Sequence, residues 1–366
     1  MSSTFGNILK ITLFGESHAK AIGLTIDGLP AGIEIDKEGI EKDLVKRNPK
    51  NAFTTTRHEP DEVNFLCGVL DGKTTGAPVT FIIENKDVDD SDYTKGVIRP
   101  GHSDYTNYLK YEGFNDYRGG GFSSGRNTAP LVVMGSICKQ LLAKRNIKMG
   151  SHLHCIYDVA DAEFDEDPKE LEVQIDKLNK DLFPVISETK QEQMKAAIER
   201  AKRNKDSVGG TLETAIINVP AGLGEPYFDS FESIVAHLLF SVPGVKAIQF
   251  GDGWKFARRL GSEVKDEIKY DKDGNVIFLA NHNGGINGGI TNGNTILLQT
   301  IIKAPSSIGQ SQRSINIETK ENIDLSIKGR HDPCILPRAR VVIESLLAFA
   351  LVDMLMLKES KKFWWN

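Results

Sequence analysis

The chain has 366 residues, of which 40% are hydrophobic, 8% aromatic and 26% charged, and its formal net charge is −5. This is the composition of an ordinary soluble protein, and the negative charge disfavours a nucleic-acid-binding protein held by bulk charge. The cysteines lie far apart without a CxxC pair, so we expect no disulfide framework, no metal site and a reducing cytoplasm. They are Cys67, Cys138, Cys155 and Cys334.

The N-terminal stretch lacks a basic start followed by an apolar core, so no signal peptide is predicted. A membrane span needs about 18 consecutive apolar residues, and the sequence has no such run. We therefore expect neither a membrane nor a nucleic acid among the partners.

Hydrophobic spacing and turn residues predict a mixture of strands and helices. In chain order these are strands Ile8–Phe14 and Gly23–Ile26, helix Asp36–Arg47, strands Val63–Cys67 and Val79–Ile83, helix Thr128–Arg145, a charged helical stretch Pro168–Asn204 broken near Phe183, strands Thr211–Val219, Val245–Phe250 and Thr295–Ile302, and helix Arg338–Leu357. There is no regular βαβ rhythm, which indicates an α+β fold with helices packed on sheets. The sequence contains no linker that would require two domains, so a single domain over residues 1–366 is expected.

The stretch DYRGGGFSSGRNTAP, residues 116–130, is typical of an anion-binding loop. Three glycines allow the backbone to approach a ligand, the following helix start favours negative charge, and Arg126 adds a forked cation. The spacing matches neither a P-loop nor a dinucleotide-binding motif. An ordinary glycine turn before a helix would explain the same letters.

Two histidines are candidates for proton transfer near neutral pH. His18 follows a predicted strand in FGESHAKAIG, and His102 lies three residues after Arg99 at the Pro-Gly turn of RPGHSDY. Each of these patterns is also compatible with a solvated surface histidine. The Lys46–Arg47 pair is compatible with ordinary cations at a helix C-terminus.

Three further polar loops lie in the second half of the chain: NHNGGINGGITNGN, KAPSS and GRHDPC. The first is rich in residues that accept positive φ, which suits close wrapping around a flat or charged group. Together the loops contain many cations and few acids. This pattern indicates a polyanionic small ligand and a phosphate-bearing cofactor.

These motifs, in this order, resemble the chorismate synthase family. GESHAKAIGLTIDGLPAG, RPGHSDYT, RGGGFSSGRNTA, NHNGGINGGITNG, KAPSS and GRHDPC are each similar to a family motif, and the likeness runs from about Phe5 to Leu357. It implies a β-α-β sandwich with helices packed on antiparallel-rich sheets. It also implies a 1,4-anti elimination of phosphate from 5-enolpyruvylshikimate 3-phosphate to give chorismate, in the shikimate pathway of aromatic amino acid biosynthesis.

The resemblance further implies reduced FMN as cofactor without net redox change, an external flavin reductant with NADP as the associated nucleotide, and a homotetramer. By position, the implied catalytic residues are His18, His102 and Asp332. The implied flavin-binding residues are Ser17, Phe122, Ser123, Ser124, Pro243, Gly244, Gly288, Lys303, Ala304, Pro305, Ser306, Ser307 and Arg330. The implied substrate-binding residues are Lys46, Arg47, Arg99 and Arg126.

The chain departs from the family pattern at several of these places. Phe122 and Ala52 stand where arginines are common, and Pro243–Gly244 stands where Asn-Ala is common. A non-catalytic flavin- or anion-binding protein and a flavin oxidoreductase with net redox change are the alternative functions. Binding without turnover would indicate the first, and steady consumption of reductant the second.

Overall fold

The computed structural model of this protein describes residues 3–48, 61–86, 93–327 and 332–362. Its strands are β1 (Thr4–Phe5), β2 (Lys10–Gly15), β3 (Ala21–Asp27), β4 (Val63–Cys67), β5 (Val69–Leu70), β6 (Lys73–Thr74), β7 (Val79–Glu84), β8 (Lys148–Ile156), β9 (Val159–Ala160), β10 (Gly210–Ile217), β11 (Val245–Phe250), β12 (Ile268–Tyr270), β13 (Val276–Phe278), β14 (Ile286–Asn287), β15 (Ile290–Thr291), β16 (Ile296–Ile302), β17 (Gln312–Asn316) and β18 (Glu321–Leu325). Its α-helices are α1 (Lys37–Arg47), α2 (Asp104–Lys110), α3 (Thr128–Ala143), α4 (Pro168–Leu178), α5 (Glu188–Arg203), α6 (Phe231–Leu239) and α7 (Leu336–Lys362).

The first large sheet has the strand order β1-β2-β3-β7-β4, and every neighbouring pair is antiparallel. Strand β7 alternates in burial, as expected for a strand with one face on the core. In β7, Val79, Phe81 and Ile83 are buried while the residues between them are not fully covered. Apolar alternation in the sequence therefore fixes which face of this sheet meets the helices.

The second large sheet has the order β11-β16-β10-β8-β9 and is also antiparallel. One face of β10 presents Leu212 and Ile216 to the main core. The other face presents Ala215 and Ile217 to a small apolar cluster that includes Ile175 of α4. Both faces of this sheet are therefore covered.

Helices α3 and α7 form the layer between the two sheets, and the main hydrophobic core contains residues from both helices and both sheets. The two helices approach closely at Gly135 of α3, where a Cβ atom would lie 2.0 Å from the Cβ atom of Ser345. Only glycine permits this separation. The arrangement confirms the expected α+β fold and its β-α-β sandwich.

All the predicted strands and helices are confirmed, with boundary differences of a few residues. The break near Phe183 is confirmed as the gap between α4 and α5. Strand β8 and helix α2 were not predicted, because their polar residues obscure the apolar periodicity. Helix α6 was not predicted either, although its buried residues share one face. No helix in the described part of the chain combines the length and apolar character needed to cross a bilayer.

Candidate functional site

A cavity of about 1390 Å³ lies beside the start of both central helices. Asn127 and Thr128 at the start of α3 line it, as do Ile335 and Arg338 at the start of α7. The cavity brings together most of the residues predicted for the site. These are Arg47, Arg99, His102, Phe122, Ser123, Ser124, Arg126, Pro243, Gly244, Lys303, Ala304, Pro305, Ser306, Ser307 and Asp332.

A pair of glycines separates the two predicted histidines. A Cβ atom on Gly119 would lie 2.3 Å from Cε1 of His18, and one on Gly120 would lie 3.5 Å from Cε1 of His102. Both glycines have positive φ, at 64° and 153°. Glycine is therefore needed at both positions for the backbone conformation, and at Gly119 also because the His18 ring leaves no room for a side chain.

His18 is buried against this glycine pair, and its Nδ1 atom lies 3.0 Å from Oγ of Ser17. Its ring makes an edge-on contact with the ring of Tyr93, with centroids 5.2 Å apart. Ser17 is buried as well, and its backbone N–H donates to the carbonyl of Gly121 at 3.3 Å. The glycine loop and the β2–β3 turn thus hold this imidazole together.

His102 belongs to a trio with Asp104 and Arg99. Its Nδ1 atom lies 2.7 Å from Oδ1 of Asp104, and the Arg99 guanidinium donates to both oxygens of the same carboxylate at 2.7 Å. Burial alone would raise the pKa of Asp104, but hydrogen bonds from Arg99 and His102 hold it far below its usual value. An ionised carboxylate at Nδ1 favours the tautomer with its proton on that nitrogen, which leaves Nε2 to exchange protons with a ligand.

Arg47 and Arg126 share a buried acid, Asp61. Arg47 donates from Nε and Nη2 to Oδ2 at 3.2 and 2.7 Å, and Arg126 pairs with Oδ1. Burial raises the pKa of Asp61, but the two guanidinium groups outweigh it and lower the pKa overall. Two cations and one acid leave this part of the cavity wall with net positive charge.

Lys303 forms a second cationic region and links the loops that contain Gly101, Gly244 and Ser306. Its ammonium group donates to Oγ of Ser306 at 2.7 Å and to the carbonyl of Gly101, which also accepts from Ser306 at 2.7 Å. The backbone N–H of Lys303 donates to the carbonyl of Gly244 at 2.9 Å. Burial and the nearby Lys246 ammonium lower the pKa of Lys303. Hydroxyl and ammonium donors of this kind suit a phosphate group.

Asp332 provides the acid on the α7 side of the cavity. Its Oδ2 atom accepts from Nη1 of Arg338 at 2.8 Å, while its Oδ1 atom is buried and has no hydrogen-bond partner among the described residues. Burial raises the pKa of this carboxyl above its usual value despite the Arg338 cation. A buried oxygen without a hydrogen-bond partner is unusual, and a bound ligand that donates to it would account for its burial.

Some predicted site residues lie elsewhere. Ser17 and His18 are buried against Gly119 and do not themselves line the cavity. Lys46 donates to Asp43 at 2.8 Å and does not line it either. Gly288 lies in the turn between β14 and β15, outside the cavity wall. Arg330 and the departure at Ala52 fall outside the described residues.

Sequence reasoning missed three charged residues of the site: Asp61, Asp104 and Arg338. Asp104 lies within RPGHSDY, only two residues after His102, so the sequence could have indicated that it pairs with this histidine. The other two reach the site only through the fold. Phe122 is the residue of the glycine loop that departs from the family pattern. Its side chain is half-buried and lines the cavity, and its backbone carbonyl accepts from Nδ2 of Asn127 at 2.9 Å.

Comparisons with known proteins identify the family of this chain. A profile of the chorismate synthase family, described as "Chorismate synthase", matches residues 9–356. The chain belongs to the chorismate synthase family. Chorismate synthase of Archaeoglobus fulgidus is 40% identical over 358 residues, covering 97% of this chain and 98% of the relative. Chorismate synthase of Porphyromonas gingivalis is 41% identical over 354 residues, covering 96% and 95%.

A solved structure titled "Crystal Structure of Chorismate Synthase" superimposes with a TM-score of 0.76. Its sequence is 27% identical, and the match covers 97% of this chain and 93% of that one. The chorismate synthase architecture therefore extends over both sheets and the helical layer described above.

Proposed function

We propose that this chain forms chorismate from 5-enolpyruvylshikimate 3-phosphate by 1,4-anti elimination of phosphate and the C6 hydrogen, with reduced FMN and no net redox change. The observation that carries the proposal is the convergence of His18 and His102 on one glycine pair beside a cavity rich in cations. Family membership supplies the reaction class, and the site supplies groups with matching chemistry.

The cations of the cavity match the charge of the substrate, which carries one phosphate and two carboxylates. Arg47, Arg126 and Asp61 leave a net positive charge on one wall. Forked guanidinium groups suit bidentate binding of both anion types. In this proposal these arginines hold the substrate and compensate the charge of the departing phosphate.

Proton transfer falls to the two histidines. In the elimination, the bond between C3 and the phosphate oxygen breaks and the C6–H proton is removed. We assign one imidazole to protonate the leaving phosphate and the other to hold the protonation state of the cofactor. His102 exchanges its proton at Nε2, because Asp104 keeps the proton on Nδ1.

The residues present fit a flavin phosphate and a flat ring. Pockets for a single drug-sized ligand are about 300–1,000 Å³, so this cavity of about 1390 Å³ has room for two ligands. Lys303, Ser306 and Ser307 would hold the phosphate, and Ser124 and the Pro243–Gly244 turn would border the ring. The chemistry that reduced flavin would supply when bound there is transient electron donation that weakens the C–O bond. The unpaired Oδ1 of Asp332, whose pKa is raised, would take up and pass on the C6 proton.

The proposal includes the cellular setting that the family implies. Residues 1–366 would act as one catalytic domain in a cytoplasmic homotetramer, with flavin reduced by an external, NADP-linked system. The continuous core across both sheets supports one domain. Light scattering on purified protein tests the assembly, and a mass near 40.4 kDa would contradict the tetramer.

An anaerobic assay tests the activity directly. The full chain is incubated with reduced FMN and 5-enolpyruvylshikimate 3-phosphate, and chorismate absorbance and phosphate release are followed together. We expect equal amounts of both products with catalytic flavin, and His102→Ala should lower turnover by roughly 10²–10⁴. Flavin binding without product would reject the reaction, and consumption of reductant with each turnover would indicate an oxidoreductase instead.

A further inference from the structure

A second group of titratable side chains lies on the second sheet, on the face that packs toward α4. His152 of β8 and Glu213 of β10 are directly opposed across the strand pair. Nε2 of His152 lies 3.0 Å from Oε2 of Glu213, and Nδ1 of His154 lies 3.9 Å from the same oxygen. One ligand atom from each of the three residues falls within 4.8 Å of the others. None of the three lines the cavity described above.

Two further residues fix the orientation of this group. Nδ1 of His152 pairs with Oδ2 of Asp161 at 2.9 Å, and Asp161 is held by the backbone N–H groups of Ile186 and Ser187 at 2.7 and 3.0 Å. Oε1 of Glu213 accepts from Nε2 of Gln299 at 3.0 Å. Imidazoles and carboxylates that bind metals usually have such outer hydrogen bonds, which set the tautomer and aim the free atom.

The third residue provides an observation independent of these bonds. Nδ1 of His154 is buried and has no hydrogen-bond partner within the described ranges, and it is directed toward Oε2 of Glu213. A buried polar atom without a partner is costly and uncommon. The side chain as a whole is 17% exposed, so the group lies close to solvent although this nitrogen is itself covered.

We propose that His152, His154 and Glu213 bind one divalent transition-metal ion of the zinc class through Nε2, Nδ1 and Oε2. Imidazole nitrogen with carboxylate oxygen suits zinc, cobalt or nickel better than magnesium or calcium. Zinc bonds to these atoms are about 2.0–2.2 Å long, which places ligand atoms roughly 3.3–3.5 Å apart in a tetrahedron. The two separations from Oε2 of Glu213, 3.0 and 3.9 Å, bracket that spacing, and all three ligand atoms lie within 4.8 Å of one another.

Binding releases the proton that His152 shares with Glu213, since the metal takes the place of that proton on Nε2. Asp161 stays on Nδ1, and water from the exposed side of His154 completes the coordination. The ion joins β8 to β10 at mid-sheet, away from the catalytic cavity. Its expected effect is therefore on stability, because a ligand that binds only the folded state stabilises that state.

The experiment uses the full chain after treatment with a chelator. Equilibrium dialysis with Zn²⁺ should give one ion per chain that His154→Ala does not bind, and Co²⁺ should give the visible absorption of a tetrahedral complex. His154→Ala is chosen because its side chain is partly exposed, and circular dichroism checks its fold. Asp161→Asn should weaken Zn²⁺ binding by about 10–100-fold.

His282→Ala is the matched control, because His282 also pairs with an acid, Asp252, at 2.9 Å, but outside this group. It should keep wild-type zinc stoichiometry, cobalt absorption and the zinc-dependent rise in midpoint temperature. If the wild-type chain binds no more Zn²⁺ than His154→Ala, or shows no tetrahedral cobalt absorption, the proposal is overturned. His152 would then be an imidazolium held between two carboxylates.

Discussion

Gly119→Ala should greatly reduce turnover by displacing His18. The added Cβ would lie 2.3 Å from Cε1, 2.6 Å from Nδ1 of His18 and 2.9 Å from Oγ of Ser17. Carbon atoms pack at about 3.5 Å or more, so the ring must move by about 1.2 Å. A displacement of about 1 Å in a catalytic group can cost about 10²-fold in rate, equivalent to about 2.7 kcal/mol.

The backbone adds a smaller effect on stability. Gly119 has φ of 64°, where an alanine costs roughly 1–2 kcal/mol. Thermal unfolding should therefore show a modest loss, and the protein should remain folded at assay temperature. The kinetic loss is measured anaerobically as kcat at saturating substrate and reduced FMN.

Gly125→Ala is the matched control in the same loop. An added Cβ at Gly125 would meet no atom within 4 Å, and its φ is not positive. Its turnover should stay close to that of the wild type. A folded Gly119→Ala enzyme with turnover within about threefold of wild type, or an equal loss in Gly125→Ala, would refute the packing argument.

Three other substitutions test the site and the helical layer. Asp104→Asn removes the carboxylate that orients His102, so kcat should fall by roughly 10²-fold with a smaller change in KM. Asp332→Asn should lower turnover yet raise the midpoint temperature at neutral pH. Burial raises the pKa of this carboxyl, so its ionised form opposes folding at every pH above the unfolded pKa. Gly135→Val forces α3 away from Ser345 and should cost about 1–3 kcal/mol of unfolding free energy, measured with urea.

Each of these has a control or a contrary outcome. Asp252 accepts from Arg259 and His282 in a similar trio outside the cavity, so Asp252→Asn should keep wild-type kcat, and equal losses would reject the role of Asp104. A lower midpoint for Asp332→Asn would contradict the sign of its pKa shift. Gly261 is exposed with free space around it, so Gly261→Val should unfold at the wild-type urea concentration, unlike Gly135→Val.

The sequence alone predicted the elements whose apolar residues recur at the regular spacing of a strand or a helix. Strand β7 alternates cleanly, and α7 is apolar on most faces, so each was predictable from its own residues. Strand β8 was not, because it buries Ser151 and His152, whose partners Thr214 and Glu213 lie about 60 residues away. A buried polar residue looks like a surface residue until its partner is known.

The candidate site, like the fold, was predictable only in part from the sequence. Its loops were predictable because glycine, arginine and histidine cluster locally in the sequence. The ion pairs between them were not, since Asp61 is 14 residues from Arg47 and 65 from Arg126. The group proposed to bind a metal was not predicted either, because Glu213 lies 61 residues from His152.

The start of both central helices at the cavity has a consequence for how the site responds to pH. Each helix directs the positive end of its macrodipole toward the cavity, where it would attract an anion. Peptide groups have no proton to gain or lose in the physiological range. The backbone dipoles therefore contribute part of the attraction for a phosphate, and this part persists at any pH at which the protein is folded.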